Sequence, residues 1–480
     1  MRYFKILVLI SVLIPLISCR NQIDCGVILD EISQNFETGN FKKVSRLTDS
    51  LKNYCGNNNK IIAISDSILD ISERTKIDFS VSEDQVKAAI KERSGEYSEV
   101  DKSFWEENGW LEWRLIDGEK RYFNRAVSNL FLLKKFYEDK DYRLIEIAAD
   151  PEMILRKTHT EEILKASVKN SDPVVPVQMK ITYTITVIPD AVTDGETIRC
   201  WLPFPKEGHY RQNNVDLLNT SEKNYLISPE NAVHRTLYME KKSEKGKPTV
   251  FQTTFNYQSK GQYFNLSRKN IIPYNKSSEI YQKYTSEQLP HICFSDNIKS
   301  LADTITSPDD LPSETVRKIY LWFKDNIPWT GALEYSIIPN IPEYVYLNRR
   351  GDCGMQTFMF MSMLRYKGIP VRWQSGWKVP PGDKNLHDWC EVYYEGVGWV
   401  PVDVSYDLQA SDNKELKEFY ISGIDSYRMI VNEGISGTLF PPKKFMRSEP
   451  FDFQRGEVEW SGGNLYFDKW DYDMKIEYIK

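Results

Sequence analysis

Residues 350–364 read Arg-Gly-Asp-Cys-Gly-Met-Gln-Thr-Phe-Met-Phe-Met-Ser-Met-Leu, a polar head followed by large apolar side chains. The apolar run predicts a buried helix with Cys353 in its first turn. Gly368 is suited to end this helix, because glycine accepts the left-handed conformation common after helix ends. A thiol at a helix N-terminus lies beside unpaired backbone N–H groups and the positive end of the helix dipole, which lowers the thiol pKa. The stretch therefore makes Cys353 a candidate nucleophile.

A second stretch, residues 386–403, supplies the polar groups that a thiol nucleophile needs. It reads Leu-His-Asp-Trp-Cys-Glu-Val-Tyr-Tyr-Glu-Gly-Val-Gly-Trp-Val-Pro-Val-Asp and predicts a β-hairpin around a glycine-containing turn. His387 has the chemistry of a base for the thiol proton, and Asp403 that of a carboxylate that orients the base. A turn with an even number of residues places His387 and Asp403 on opposite faces of the hairpin. A three-residue turn or a bulge places both on one face.

Three motifs in this order resemble the transglutaminase-like superfamily, a papain-like group of thiol enzymes: Gly-Asp-Cys-Gly before an apolar helix, His-x-Trp-x-Glu-Val, and Gly-Trp-Val-Pro-Val-Asp. The resemblance covers about residues 270–430. It implies that Cys353 is the nucleophile, His387 the general base and Asp403 the orienting carboxylate. The family usually has Asp-Pro-Thr at the third position, whereas here valine and serine follow Asp403.

Two tryptophans are candidates for the groove around the thiol. In papain-like enzymes a side-chain donor upstream of the nucleophile often completes an oxyanion hole with the backbone N–H of the cysteine, and Trp329 is the candidate for that donor. A core or groove-lining side chain is the alternative for Trp329. Trp389, in the His-x-Trp motif, is the second candidate.

The composition is that of a folded chain with several domains, since 41% of its 480 residues are apolar and 27% are charged. The formal net charge is −6 and no basic run is present, so we expect no nucleic-acid partner. The cysteines form no Cys-x-x-Cys motif and the histidines no cluster, so we expect no metal site and no cofactor.

The N-terminus has the pattern of an export signal. Arg2 and Lys5 precede an apolar run over residues 6–17 that is too short for a membrane-spanning helix. Leu-Ile-Ser-Cys over residues 16–19 then resembles the lipobox of bacterial lipoproteins, which implies a signal peptide over residues 1–18 and a lipidated Cys19. An ordinary secretory signal is the alternative. We expect a protein of the cell envelope, held by its lipid on the periplasmic or cell-surface face of a bacterial membrane.

The periodicity of the chain predicts an α+β, multidomain protein. The predicted parts are an N-terminal helical region over 19–170, a β-sandwich over 171–268, a transglutaminase-like, papain-like catalytic core over 269–435 and a C-terminal β extension over 436–480. We interpret the helical region as a spacer, with Cys25 and Cys55 as a candidate disulfide. The C-terminal extension contains a predicted hairpin about Gly462-Gly463 and either joins the papain-like sheet or folds back on the sandwich.

The leading functional hypothesis is a thiol acyl-transfer enzyme that attacks an amide to form a thioester. Water as acceptor makes the enzyme a peptidase or amidase, and a primary amine makes it a protein crosslinker; we favour water. The expected substrate is a protein, a peptide or a peptidoglycan stem. The alternatives are a catalytically silent papain-like binding module and a buried structural role for Cys353. Nothing in the sequence sets the oligomeric state.

Overall fold

The computed structural model describes residues 24–138 and 150–479. This part of the chain is a mixed α/β protein with an N-terminal helical region and several sheets. Within it, no helix combines the length and the apolar character needed to cross a membrane. Cys19, the predicted lipidation site, lies outside the described residues.

The described residues form two compact units. One comprises residues 24–73 with 115–119, and the other comprises residues 74–114 with 120–138 and 150–479. The predicted helical region is therefore divided between the two units, and its later part shares a unit with all of the larger sheets.

The elements are numbered in chain order. The helices are α1 (Cys25–Glu37), α2 (Phe41–Cys55), α3 (Asn59–Asp78), α4 (Glu83–Ser94), α5 (Glu99–Glu107), α6 (Ala126–Glu138), α7 (Pro151–Ala166), α8 (Glu279–Tyr284), α9 (Asp296–Ile305), α10 (Pro312–Asn326), α11 (Ile341–Asn348), α12 (Cys353–Tyr366) and α13 (Lys414–Lys417). The strands are β1 (Trp113–Ile116), β2 (Glu119–Tyr122), β3 (Val174–Val187), β4 (Thr197–Pro203), β5 (Gln212–Thr220), β6 (Tyr225–Ile227), β7 (Thr236–Lys242), β8 (Thr249–Tyr263), β9 (Val371–Lys378), β10 (Asn385–Tyr394), β11 (Gly398–Val402), β12 (Gly423–Ile424), β13 (Arg428–Asn432), β14 (Glu457–Trp460), β15 (Gly463–Leu465) and β16 (Trp470–Ile479).

In the smaller unit, α1 and α2 bury apolar side chains at helical spacing, among them Ile32, Val44 and Leu51. A disulfide joins Cys25 at the start of α1 to Cys55 at the end of α2. The predicted pairing of these two cysteines is confirmed.

Two sheets of the larger unit enclose a common apolar core. One has the strand order β12-β8-β3-β16 with β5 also beside β8, and the other has the order β15-β14-β4-β7-β6. Alternate side chains of β3, such as Ile181 and Ile185, are buried and pack in one cluster with Trp201 of β4 and Phe255 of β8. The alternation that predicted these strands therefore reflects one face turned to this core.

The C-terminal strands complete the two sheets of this core. Strand β14 pairs with β4, and β16 pairs with β3 along its whole length. The second of the two predicted arrangements of the C-terminal extension is therefore the one found. Its hairpin is present with Ser461 and Gly462 as the turn, one residue earlier than predicted, because Trp460 pairs with Gly463.

A third sheet, of order β11-β10-β9-β13, is covered on one face by the buried helix α12. The ring of Phe358 in α12 stacks on Trp373 of β9 at 4.3 Å, and Phe360 meets Phe323 of α10. The predicted helix after Cys353 is confirmed, and Gly368 follows it with a φ of +74°. This packing positions the start of α12 beside β10.

Candidate functional site

Cys353 is the first residue of α12, and its neighbours hold the start of that helix in place. The side chain of Asp352 accepts from the backbone N–H of Met355 at 2.9 Å, as a helix N-cap does. The N–H of Thr330 donates to the carbonyl of Gly351 at 3.2 Å, which ties the preceding loop to the same turn. Cys353 itself is only 8% exposed and lies on the wall of a cavity.

The expected lowering of the Cys353 pKa is wrong for this structure. Burial raises the pKa of the thiol well above its ordinary value, and the carboxyl groups of Asp388 and Asp352 raise it further. The thiol donates to Asp388 Oδ2 at 3.4 Å. Loss of solvation outweighs the helix dipole, so the thiol is protonated at rest.

His387 and Asp403 meet because the hairpin has the odd turn. Tyr394 pairs with Gly398, which leaves residues 395–397 as a three-residue turn. Asp403, one residue beyond β11, then lies on the face of His387, and His387 Nε2 is 2.7 Å from Asp403 Oδ2. Since Nε2 is engaged, Nδ1 is the ring nitrogen left for the thiol.

Asp403 also belongs to a buried ionic network. Its Oδ2 accepts from Arg428 Nη1 at 2.8 Å, and Ser405 Oγ donates to Oδ1 at 2.8 Å. Arg428 in turn donates through Nη2 to Asp425 Oδ2 at 2.7 Å. Burial alone would raise the pKa of Asp403, but the contacts with His387 and with the Arg428 guanidinium outweigh it and hold the pKa below its ordinary value.

The imidazole of His387 is neutral at rest. Burial lowers the pKa of His387, and the Arg428 guanidinium lowers it too, whereas Asp403 raises it without restoring the ordinary value. The pair at rest is thus a neutral thiol and a neutral imidazole. A reaction at the sulfur would therefore require the thiol to give up its proton.

A cavity of about 470 Å³ contains Cys353 and His387 on its wall. Most of the other residues that line it come from the loop before α11, β10, the segment after β11, the segment before β14 and the helical region; they include Trp329, Tyr335, Asp388, Ser405, Asp407, Glu449, Asp452, Arg455, Arg125, Glu152, Met153 and Arg156. It is the space in which a substrate would reach the thiol.

The later helical region, from residue 74 onward, lines the cavity and supports the loops that lead to Cys353. Asn129 of α6 binds Gly331 twice: its Nδ2 donates to the carbonyl at 2.9 Å, and its Oδ1 accepts from the N–H at 2.8 Å. Arg350, three residues before Cys353, donates to Glu112 at 2.9 Å. These bonds fix both segments that lead to Cys353.

The two candidate tryptophans lie in different places. Trp329 is 44% exposed and lines the cavity, as a groove residue or an oxyanion donor requires. Trp389 is fully buried, and its indole N–H donates to Gln374 Oε1 at 2.6 Å. The structure therefore does not bring Trp389 to the cavity wall; it packs against the ring of His387 instead.

Sequence reasoning missed Arg428 and Asp388. Arg428 is 25 residues after Asp403 in no recognisable motif, and only the pairing of β13 with β9 brings it there. The position of Asp388 beside His387 was a signal in the sequence. A residue next to His387 in the same strand is fixed as well as His387 is, although its side chain points to the other face. Within residues 24–138 and 150–479, no group of three or more histidine, cysteine or acidic side chains is arranged to hold a metal ion.

Comparison with known proteins agrees with this location. Residues 299–404 match the family model of the transglutaminase-like superfamily. An uncharacterized protein of Bacillus subtilis strain 168, YebA, is 26% identical over 152 residues, which are 28% of this chain and 20% of YebA. This chain thus matches about a fifth of the length of that relative.

Two solved structures align with this chain at low similarity. A candidate cysteine protease from Cytophaga hutchinsonii has 12% identity and a TM-score of 0.43, covering 64% of this chain and 92% of that one. The periplasmic domain of TgpA from Pseudomonas aeruginosa has 14% identity and a TM-score of 0.24, covering 46% and 87%. From the match of the family model, residues 299–404 are a domain of the transglutaminase-like superfamily.

Proposed function

We propose that this protein is a thiol acyl-transfer enzyme in which Cys353 attacks an amide, His387 is the general base and Asp403 orients His387. The observation that carries the proposal is the 2.7 Å contact of His387 Nε2 with Asp403, on the cavity that also contains Cys353. It fixes the tautomer with the proton on Nε2 and leaves Nδ1 to accept from the thiol. Each of the three groups then has a distinct chemical role.

The first half of the reaction forms a thioester. As the Cys353 sulfur bonds to the amide carbon, the thiol proton passes to His387 Nδ1 and the carbonyl electrons move to oxygen. Backbone N–H groups at the start of α12, with the Trp329 indole as the candidate second donor, stabilise the oxyanion. The C–N bond then breaks, and the imidazolium gives its proton to the leaving amine.

The second half releases the acyl group. We propose that water gives up a proton to His387 and attacks the thioester carbon. The C–S bond then breaks, the sulfur takes the proton back from His387, and the acyl group leaves as a carboxylic acid. This outcome makes the protein a peptidase or amidase acting on a protein, peptide or peptidoglycan-stem substrate. Attack by a primary amine at the same carbon would make it a crosslinker instead.

Fluorescein-labelled casein, with and without dansylcadaverine, separates these outcomes. Release of small labelled fragments indicates hydrolysis, and dansyl fluorescence in the casein band indicates amine transfer. Cys353→Ala should abolish both signals while changing the free energy of unfolding by no more than about 1 to 2 kcal/mol. Cys293→Ala is the matched control, because this free cysteine is buried away from the lining of the cavity. Activity that survives Cys353→Ala would refute the proposed nucleophile.

We also propose that the lipid on Cys19 anchors the enzyme to the cell envelope. The support is the resemblance of the leader to a lipobox. Cys19→Ser should release the folded protein from the membrane fraction, because the anchor is covalent lipid rather than packed structure. A variant that still sediments with membranes in high salt would contradict the anchor.

A further inference from the structure

The Cys353 thiol is engaged by a carboxyl group that the proposed mechanism does not use. Its Sγ donates to Asp388 Oδ2 at 3.4 Å. Asp388 follows His387 in β10, where successive side chains point to opposite faces, and it pairs across the sheet with Ser375 while His387 pairs with Gly376. The group that holds the thiol at rest and the group proposed to take its proton therefore leave the strand in opposite directions.

Asp388 is paired with a second buried carboxyl group, that of Asp452. Oδ1 of Asp452 accepts from Ser375 Oγ at 2.6 Å and from Asn432 Nδ2 at 2.9 Å. Its Oδ2 has no donor among the described residues. Asp388 pairs across the sheet with the same Ser375 that binds Asp452, and burial and the charge of Asp452 both raise the pKa of Asp388. Gln454 Nε2 donates to Asp388 Oδ1 at 2.8 Å. Two interacting buried carboxyl groups favour a state in which they hold one proton and carry one negative charge between them.

We infer that Asp388 is a positioning residue of the proposed reaction, and that its pairing with Asp452 keeps the Cys353 thiol protonated and turned away from His387 until the thiol is recruited. Recruitment here means transfer of the thiol to His387 for catalysis, and in that respect the inference rests on the proposed function. The effect of Asp388 on the thiol pKa can be measured without turnover. The thiol must leave Asp388 before its proton can pass to Nδ1 of His387.

The charge around the thiol supports this assignment. Burial raises the pKa of Asp388 well above its ordinary value, and the charges of Asp452 and Asp352 raise it further. The other titratable or charged groups that act on the thiol or on the pair are Asp352 of the N-cap, Tyr335, Asp403, Arg447 and Glu449. The largest carboxyl effect on the thiol comes from Asp388.

Two isosteric variants shift the charge of the pair in opposite directions. In Asp388→Asn the single charge resides on Asp452, farther from the sulfur, and the thiol pKa falls. In Asp452→Asn the charge resides on Asp388, in contact with the sulfur, and the thiol pKa rises. A like charge at this range changes a pKa by about one unit, which is about tenfold in the thiolate fraction.

The test is the rate constant of Cys353 alkylation by iodoacetamide, followed by peptide mass spectrometry between pH 6 and pH 10. At pH 8 we expect Asp388→Asn to react about tenfold faster than the native protein and Asp452→Asn about tenfold slower. Asp407→Asn, which removes an exposed carboxylate from the same cavity, should leave the rate unchanged. Equal rates, or shifts in the same direction for both variants, would overturn the inference, because loss of packing exposes the thiol in either variant.

The alkylation of Cys353 in the native protein is a further test, and it does not depend on whether the variants fold. The alkylation midpoint should lie above that of an ordinary cysteine, about pH 8.5, and a midpoint below that value refutes the inference. The two proposals can fail separately. If casein is not turned over but the two variants still shift the alkylation rate in opposite directions, the proposed function is rejected and the effect of Asp388 on the thiol stands.

Discussion

Replacing Asp403 with asparagine keeps the shape of the side chain and removes the charge on which the proposed catalysis depends. The carboxylate oxygen that accepts from His387 at 2.7 Å also accepts from Arg428 at 2.8 Å. An amide cannot stabilise the imidazolium, and it does not select the tautomer with the proton on Nε2. We expect turnover to fall about 10²- to 10⁴-fold. KM should change much less, because Asp403 is buried and contacts His387 rather than substrate.

The same change costs stability for a separate reason. Arg428 is fully buried, and removal of one partner from a buried ion pair costs about 3 to 5 kcal/mol. Because Asp425 still pairs with Arg428 at 2.7 Å, we expect the lower end, about 3 kcal/mol. Asp425→Asn is the matched control: it removes the other carboxylate of the same guanidinium without contacting His387. Its loss of stability should be similar, and its turnover should stay within about tenfold of the native value.

The assay combines turnover of labelled casein with urea unfolding at several pH values. His387 and Arg428 hold the pKa of Asp403 below its ordinary 3.8. Its contribution to stability is therefore complete above that pH and is lost as the pH falls through the folded pKa. Asp403→Asn should lessen this loss at acidic pH. Unchanged turnover in Asp403→Asn, or an equal fall in both variants, would refute the orienting role and leave at most a pair of Cys353 and His387.

Three further outcomes can be measured by unfolding and hydrogen exchange. Gly354→Ala would drive a methyl group into the hydroxyl of Tyr335, so we expect a loss of about 1 to 3 kcal/mol in urea; native stability would contradict this packing. Replacing Cys25 and Cys55 with serine opens a loop that spans a sequence separation of 30. The free energy of unfolding of the smaller unit should fall by about 3 to 4 kcal/mol, and amide exchange there should increase. The rate of Cys353 alkylation should not change. Burial raises the pKa of Glu449 from 4.5 to about 8, so the folded state keeps a proton that the unfolded state releases, and the free energy of unfolding should fall from pH 5 to pH 8. Glu449→Gln should lessen that fall, and an equal fall in the variant would exclude Glu449 as its source.

The sequence by itself predicted the buried helix at Cys353, strands of the apolar core and the hairpin of His387 and Asp403, and it offered Cys25 with Cys55 as a candidate disulfide. Each of these follows from local periodicity, from a turn residue or from motif order, which are properties of neighbouring residues. The sequence also narrowed the arrangement of His387 and Asp403 to two registers. The catalytic roles assigned to these residues remain proposals.

Only the tertiary structure decided between those registers, because the number of residues in a turn depends on how both strands pair across the sheet. It also reversed the expected pKa of Cys353, since burial is a property of the packed protein and here outweighs the helix dipole. Arg428, Asn129 and Asp452 are far from the motifs in sequence, and no local pattern marks them. They reach the site because separate strands and helices pack around α12, and that long-range packing gives the thiol, the imidazole and the carboxylates their charges.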